Sequence, residues 1–429
     1  MKITVENGQI IDPKNKIDEL SDLFISDHKI CGVGSPPSGF QADVVIDAEN
    51  QVVCPGFIEI GCDLGDLSQK DDVGLEMELY AAASGGFTSV CLLPNPTHTL
   101  EKIETVEQIN RKSKVSKGAK VKCIGALTQH LEGKILSEME ALKNIGCIGV
   151  SNGGNPIVST SVLRNALSYA STLELVVMLE SQDAWLNASG VMRCGAASIL
   201  AGLPGIPNSS ELIGLSRNLL LVEETGVKAH MRNLSVSRSV ELIEQYPNPR
   251  ITCDVGLLHL LLCDDDLDPF DPNYNVLPPL PTATDQDSLL KHLSDRKIDI
   301  LSSQHQPIAN DLKRSTFESS KPGISSFDTF LSLMLSLAEA SKMQLSELIN
   351  AVTNEPAKTL GLNEGNLSVG SQANICIFDP DMQWKVDRNT LRSRGKNTPF
   401  LGKVVKGKVT HTIIEGEIVY CCRETSNFE

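Results

Sequence analysis

The chain has 429 residues, more than a single hydrophobic core usually supports, so two domains are expected. With 38 Lys+Arg against 54 Asp+Glu its formal charge is −16, which argues against nucleic acid or an anionic membrane surface as partner. The 12 cysteines are scattered without a CxxC, which predicts neither a disulfide framework nor a zinc ribbon; thiols inside apolar runs fit a reducing, cytoplasmic setting.

The opening MKITVENGQI has no long apolar run after Lys2 and does not read as a signal peptide. No run of about 18 apolar residues follows that would span a bilayer. Through residue 54 apolar and polar residues alternate in KITVENGQIID, LFISDHKICGVG and ADVVIDAENQVVCPG, the pattern of half-buried antiparallel strands. ANICIFDPDMQWKVD and GKVTHTIIEGEIVYC near the other end repeat it. Segments 1–54 and 362–429 are therefore expected to pair into one small β-sandwich domain.

Between them, over 55–361, short strands rich in Val, Ile, Leu and Cys alternate with helical periodicity. Eight strands are expected: GFIEIGC, GFTSVCLLPN, AKVKCIGAL, GCIGVSNGG, LELVVMLES, VKAHMRN, RITCDVGLL and KIDILSSQH. TSVLRNALSYASTL shows the helical pattern, with Val162, Leu163, Ala166, Leu167 and Ala170 on one face and Ser161 placed to cap the start. Eight such units predict an α/β fold, a parallel (β/α)8 TIM-like barrel ringed by helices, whose functional face lies where strands end.

Read in order, the strand ends offer Gly61 and Asp63, Asn95, Thr128, Asn152 and Gly153, then Glu180. Arg232 and Asn233, Asp254, Gln304 and His305 complete the series. The set is polar, as a pocket is, but poor in the three His, Cys or carboxylate ligands that a catalytic zinc requires. No HxH or HExxH occurs, and only His230, His259 and His305 fall near strand ends, where a lone histidine is more often a hydrogen-bonded structural residue. A phosphate loop and a GxGxxG turn are absent. SNGGNP reads as a turn, NVLPPLP as a rigid loop and CDDDLDPFD as a solvated one. Asp63 and Glu180 are either a carboxylate pair or two separately hydrogen-bonded acids; spacing does not decide between them.

PGFIEI, AAASGGFTSVCLLPNP, LPGIP, KPGIS, NEPAKTLGL and KNTPFLGKVVKGKVTHTIIEGEIV, in this order, resemble dihydroorotases of the amidohydrolase superfamily along nearly the whole chain. The resemblance is strongest to the non-catalytic homologues that accompany aspartate carbamoyltransferase in some bacteria. It implies a barrel of the metal-dependent hydrolase type with its site dismantled. Where the family has His-x-His-x-Arg, this chain has Gly61, Asp63 and Gly65; the bridging acid falls on Gly153. Two further histidines fall on Glu180 and Asn233, the general base on Gln304, and a loop asparagine and arginine on Leu277 and Pro281. Asn95 survives as the residual substrate-contacting residue. The resemblance thus implies no bound zinc, no catalytic residue, and a structural role beside aspartate carbamoyltransferase in pyrimidine biosynthesis, in a hetero-oligomer. Two alternatives stand beside it. One is a cyclic amidohydrolase with an improvised metal site of Asp63, Glu180, Asn233, Gln304 and His305. The other is a pocket that binds dihydroorotate or orotate, weakened by the missing arginine.

Overall fold

The computed structural model describes residues 1–65, 73–187 and 190–422. The chain enters through β1 (Ile3–Asp12), β2 (Ile17–Ser26), β3 (Lys29–Val33), β4 (Val44–Asp47) and β5 (Val52–Pro55). Five strands follow at intervals: β6 (Phe57–Cys62), β7 (Phe87–Leu92), β8 (Lys120–Ala126), β9 (Gly149–Ser151) and β10 (Val176–Glu180). After a two-strand excursion, β11 (Met192–Arg193) and β12 (Gly205–Ile206), come β13 (Lys228–Leu234), β14 (Ile251–Gly256) and β15 (Ile300–Ser302). The chain closes with β16 (Ile375–Lys385), β17 (Val404–Ile414) and β18 (Glu417–Cys421).

Strands from the two ends build one sheet, ordered β18-β17-β16-β5-β1-β2-β3 with β4 also paired to β1. The join is β5 against β16, where Cys54 stands opposite Cys376. Alternation gives this sheet domain its own core: Ile3, Val5 and Ile10 pack with Leu23, Ile25 and Ile375. The sequence expectation of a β-domain composed of both ends is met.

The eight expected barrel strands form the row β15-β14-β13-β10-β9-β8-β7-β6, and each pair within it is parallel. Residues facing inward, among them Ile60, Cys91, Ile124, Met178 and Ile300, make a buried layer. Outward ones such as Val90, Val121, Val177 and Cys253 join the helices in the main core. Period-two alternation separates the two sets. The helix expected in TSVLRNALSYASTL spans Thr160–Thr172 and buries Leu163, Ala166, Leu167 and Ala170. Its cap is Ser159 rather than Ser161: the Ser159 hydroxyl accepts from Val162 N at 3.4 Å. Among the described residues no helix is long and apolar enough to cross a membrane.

The ends of the row, β6 and β15, lie against each other, and a side chain closes the seam. Glu59 accepts from Gly61 N at 3.1 Å with Oε1 and from Ser303 N at 2.9 Å with Oε2. Asp63 N then donates to His305 O at 3.0 Å. Burial pushes the Glu59 carboxyl upward, and the donors from Ser303 and Gly61 work against that shift. The segment before β17 returns over the barrel, where Asp328 accepts from Arg392 N at 2.7 Å and Glu78 from Arg394 N at 2.9 Å.

Candidate functional site at the barrel mouth

The strand ends open on a cavity of about 510 Å³, lined among others by Asp63, Asn95, Glu180, Arg232, Asn233 and Gln304. Its floor is set by β13. Ala229 and Met231 point outward into the core, so His230 and Arg232, on the other face of the strand, point into the barrel. The Arg232 side chain is only 2% exposed and pairs with Glu180, Nη1 to Oε1 at 2.8 Å. Its Nη2 donates to Gly61 O at 3.0 Å, while Nε has no hydrogen-bond partner. A Cβ on Gly61 would lie 3.0 Å from both Nε and Nη2. The glycine therefore makes room for the guanidinium, and the guanidinium fills what a side chain at position 61 would need.

The other strand-end residues are committed to neighbours. Asp63 Oδ1 accepts from Gly65 N and from Asn95 Nδ2, each at 2.8 Å. Asn95 Oδ1 accepts from the Thr97 and His98 backbone at 2.8 and 3.0 Å, so this side chain organises its own turn. Gly65 has φ +77°, and a Cβ there would meet Arg394 Nη2 at 3.1 Å. Asn152 accepts from Thr128 Oγ1 at 2.6 Å and donates to Leu131 O and Asn155 O. Gln304 Nε2 donates to Asn233 Oδ1 at 3.1 Å. Asp63 and Glu180 are thus two separately bonded acids rather than a pair. Leu277 lines the rim of the cavity, whereas Pro281 offers its carbonyl to Asp264 N at 2.8 Å.

The three strand-end histidines are buried and bonded. His305 Nδ1 accepts from Ser326 N and Phe327 N at 3.1 and 3.3 Å, which leaves the proton on Nε2, donated to Glu78 Oε2 at 3.1 Å. Both ring nitrogens are spent, so this histidine offers no lone pair to the cavity. Burial would raise the Glu78 carboxyl; the bonds from His305 and the Arg394 backbone hold it below its usual range instead. His230 Nε2 donates to Asp254 Oδ2 at 3.0 Å, and Asp254 Oδ1 accepts from Asn233 N at 2.6 Å. Here too burial acts upward, and the contacts with His230 and Arg232 outweigh it, leaving Asp254 low. His259 donates from Nε2 to Pro278 O at 2.9 Å, and burial pushes its pKa down to about 4.

Two residues carry more than the sequence reading gave them. Arg232 stood among the strand-end residues without a partner; as the sole cation in that series, matched by a glycine on the first strand, it held the available signal. Glu78, on the helix Val73–Ser84, lies off the strand ends, where that rule does not look.

The family described as Dihydro-orotase-like matches residues 50–239, and one described as Amidohydrolase family matches residues 321–420. The chain is 36% identical to a Dihydroorotase-like protein of Pseudomonas putida over 98% of its length and 99% of that protein. The chain belongs to the dihydroorotase-like family. It is also 33% identical to a Dihydroorotase of Geobacter sp. strain M21, covering 98% of this chain and 99% of that one. Its fold is similar to that of an L-hydantoinase (dihydropyrimidinase) from Arthrobacter aurescens, with a TM-score of 0.84 at 23% identity over 97% of this chain and 95% of the other.

In this dihydroorotase-like chain the residues at the mouth do not fit a transition metal. Among the described residues no three His, Cys, Asp or Glu donors converge there; the one such grouping, Cys263, Asp264 and Asp265, lies in the loop after β14. Asn233 and Gln304 are poor donors for such an ion, and the fixed positive charge of Arg232 repels a second cation at close range. Nor does the backbone readily accept an acid at position 153. Gly153 has φ +57°, and a Cβ there would sit 2.3 Å from Pro94 O. Gly153→Asp is expected to cost about 2 kcal/mol or more through left-handed strain and this clash, read as a lower urea midpoint at unchanged slope. An unchanged midpoint would show that the turn relaxes freely.

Proposed function

We propose that this dihydroorotase-like chain of pyrimidine biosynthesis does not hydrolyse its ring substrate and acts as a structural partner of aspartate carbamoyltransferase. One observation carries the first half. The Arg232 guanidinium is bonded to Glu180 and to Gly61 O, two positions to which the family resemblance assigns metal ligands. Metal lowers the pKa of bound water from 15.7 to about 7, roughly 12 kcal/mol toward hydroxide at neutral pH. A lone positioned base supplies about 10²–10⁴-fold, which does not replace that. The partner half rests on the family resemblance. The name Dihydroorotase-like protein, borne by two relatives where others are called Dihydroorotase, agrees with a distinct role.

The test has two parts. Protein expressed with added zinc is expected to carry metal at background and to open dihydroorotate no faster than buffer. Mixed with aspartate carbamoyltransferase, it is expected to co-elute as a complex. Zinc near one equivalent with measurable ring opening would instead establish a cyclic amidohydrolase. Separate elution at micromolar concentrations would remove the partnership.

A further inference from the structure

Two loops on the mouth face expose large apolar side chains. The loop after β10, residues 181–207, leaves Trp185 79%, Ile199 79% and Leu200 88% exposed. The loop after β14, residues 257–281, leaves Phe270 91% exposed. Both follow the carboxyl ends of barrel strands and so open on the same side. They also touch. A Cβ on Gly195 would lie 3.8 Å from Asp264 Oδ2, and Arg193 Nη2 donates to Pro279 O at 3.1 Å. Single exposed apolar residues are ordinary, but a group of this size on joined loops marks an interaction surface.

The charge on these loops has one sign. Together they hold six aspartates, at 183, 264, 265, 266, 268 and 271, and a single Lys or Arg, Arg193. That arginine is 1% exposed and bonded inward to Ser235 and Pro279, so it neutralises nothing at the surface. Asp265, Asp266 and Asp268 are exposed beside Phe270. His259, the one histidine here, is buried and uncharged at neutral pH.

We infer that this face, centred on Phe270, Ile199 and Leu200, docks a partner protein whose surface presents an apolar depression rimmed by Lys and Arg. The composition matches the anatomy of a specific interface, an aromatic and aliphatic centre within a polar ring. A second copy of this chain is a poor occupant, because a two-fold contact would set the aspartates against their own equivalents. Nucleic acid and anionic lipid are excluded by the lack of any exposed cation on the two loops. The inference rests on the reading above for the partner's identity, aspartate carbamoyltransferase, and adds which face meets it and with what charge.

The test uses the full chain and the intact transferase, with affinity followed by size exclusion with light scattering and by titration at low salt and at about 0.5 M salt. Phe270→Ser and the pair Ile199→Ser with Leu200→Ser are expected to weaken binding at least tenfold, and Asp265→Lys with Asp268→Lys at least as much. Salt is expected to weaken the wild-type complex. Leu20→Ser and Val404→Ser, at exposed positions of the sheet domain, are expected to bind as the wild type does. Circular dichroism checks that each variant folds; every change is at an exposed side chain. Wild-type binding that the face variants leave untouched overturns this inference and leaves the proposed function standing. No wild-type binding at all overturns both. Self-association broken by Phe270→Ser would place a second copy on the face and also overturn it.

Discussion

Replacing Arg232 with methionine is expected to destabilise the protein by about 3 kcal/mol, the lower part of the range for breaking a buried ion pair by removing one partner. The Arg232 side chain is 2% exposed and Glu180 is 21% exposed, so the orphaned carboxylate keeps some water and the upper end of that range does not apply. Gly61 O loses its donor in the same step. The double variant Arg232→Met with Glu180→Leu is expected to recover much of the loss, since replacing both ions by apolar groups leaves no unpaired charge. Urea denaturation of the two singles and the double gives the coupling energy directly. A single variant as stable as wild type would show that the guanidinium does not hold the mouth together.

Lowering the pH from about 6.5 to about 4 is expected to cost about 3 kcal/mol through His259 alone. Burial holds this imidazole at about 4 in the folded chain, against about 6.5 when unfolded. Between those values the unfolded chain binds a proton that the folded chain refuses, so stability rises with pH across the window. Glu78 and Asp254, held low in the fold, add stability present above the unfolded carboxylate range and lost as pH falls through their folded values, below the His259 window. Glu59, Glu211 and Asp328, raised by burial, act with the opposite sign. The informative quantity is therefore the difference between wild type and His259→Gln, whose amide keeps a donor for Pro278 O. That difference should shrink steadily from neutral pH toward pH 4; a constant difference would mean that His259 titrates normally.

The fold was legible because its signals are local. Each barrel strand is a short run of β-formers followed by a turn, and GFIEIGC or LELVVMLES declares itself without knowledge of its neighbours. The composite sheet was legible for the same reason, from alternation at both ends. Of the site, only the replacements that the resemblance implies at Gly61, Gly153, Asn233 and Gln304 were legible. What fills the space was not, since Arg232 meets Gly61 across 171 positions of sequence and its direction depends on the twist of two strands. Asn95 looked like a substrate contact because its type and place match the family; its bonds to Asp63 and to its own turn are properties of geometry. His305 looked like a spare ligand until Glu78 and two backbone donors accounted for both nitrogens. The cap of the helix Thr160–Thr172 missed by two residues, the usual uncertainty of a helix start when three consecutive hydroxyl residues compete for it.

The seam and the sheet join both tie the beginning of the chain to its end. Glu59 meets Ser303 across 244 positions, and β5 finds β16 only once residue 376 exists. During synthesis, then, β1 to β5 emerge early and wait with an unpaired edge at β5 while the whole barrel is made. The barrel in turn stays open at β6 until β15 arrives. Contacts this distant slow folding and leave strand edges exposed to other chains. This architecture leaves the nascent chain with exposed strand edges for a long period, and an N-terminal fragment cut before β15 has no complete domain to fold into.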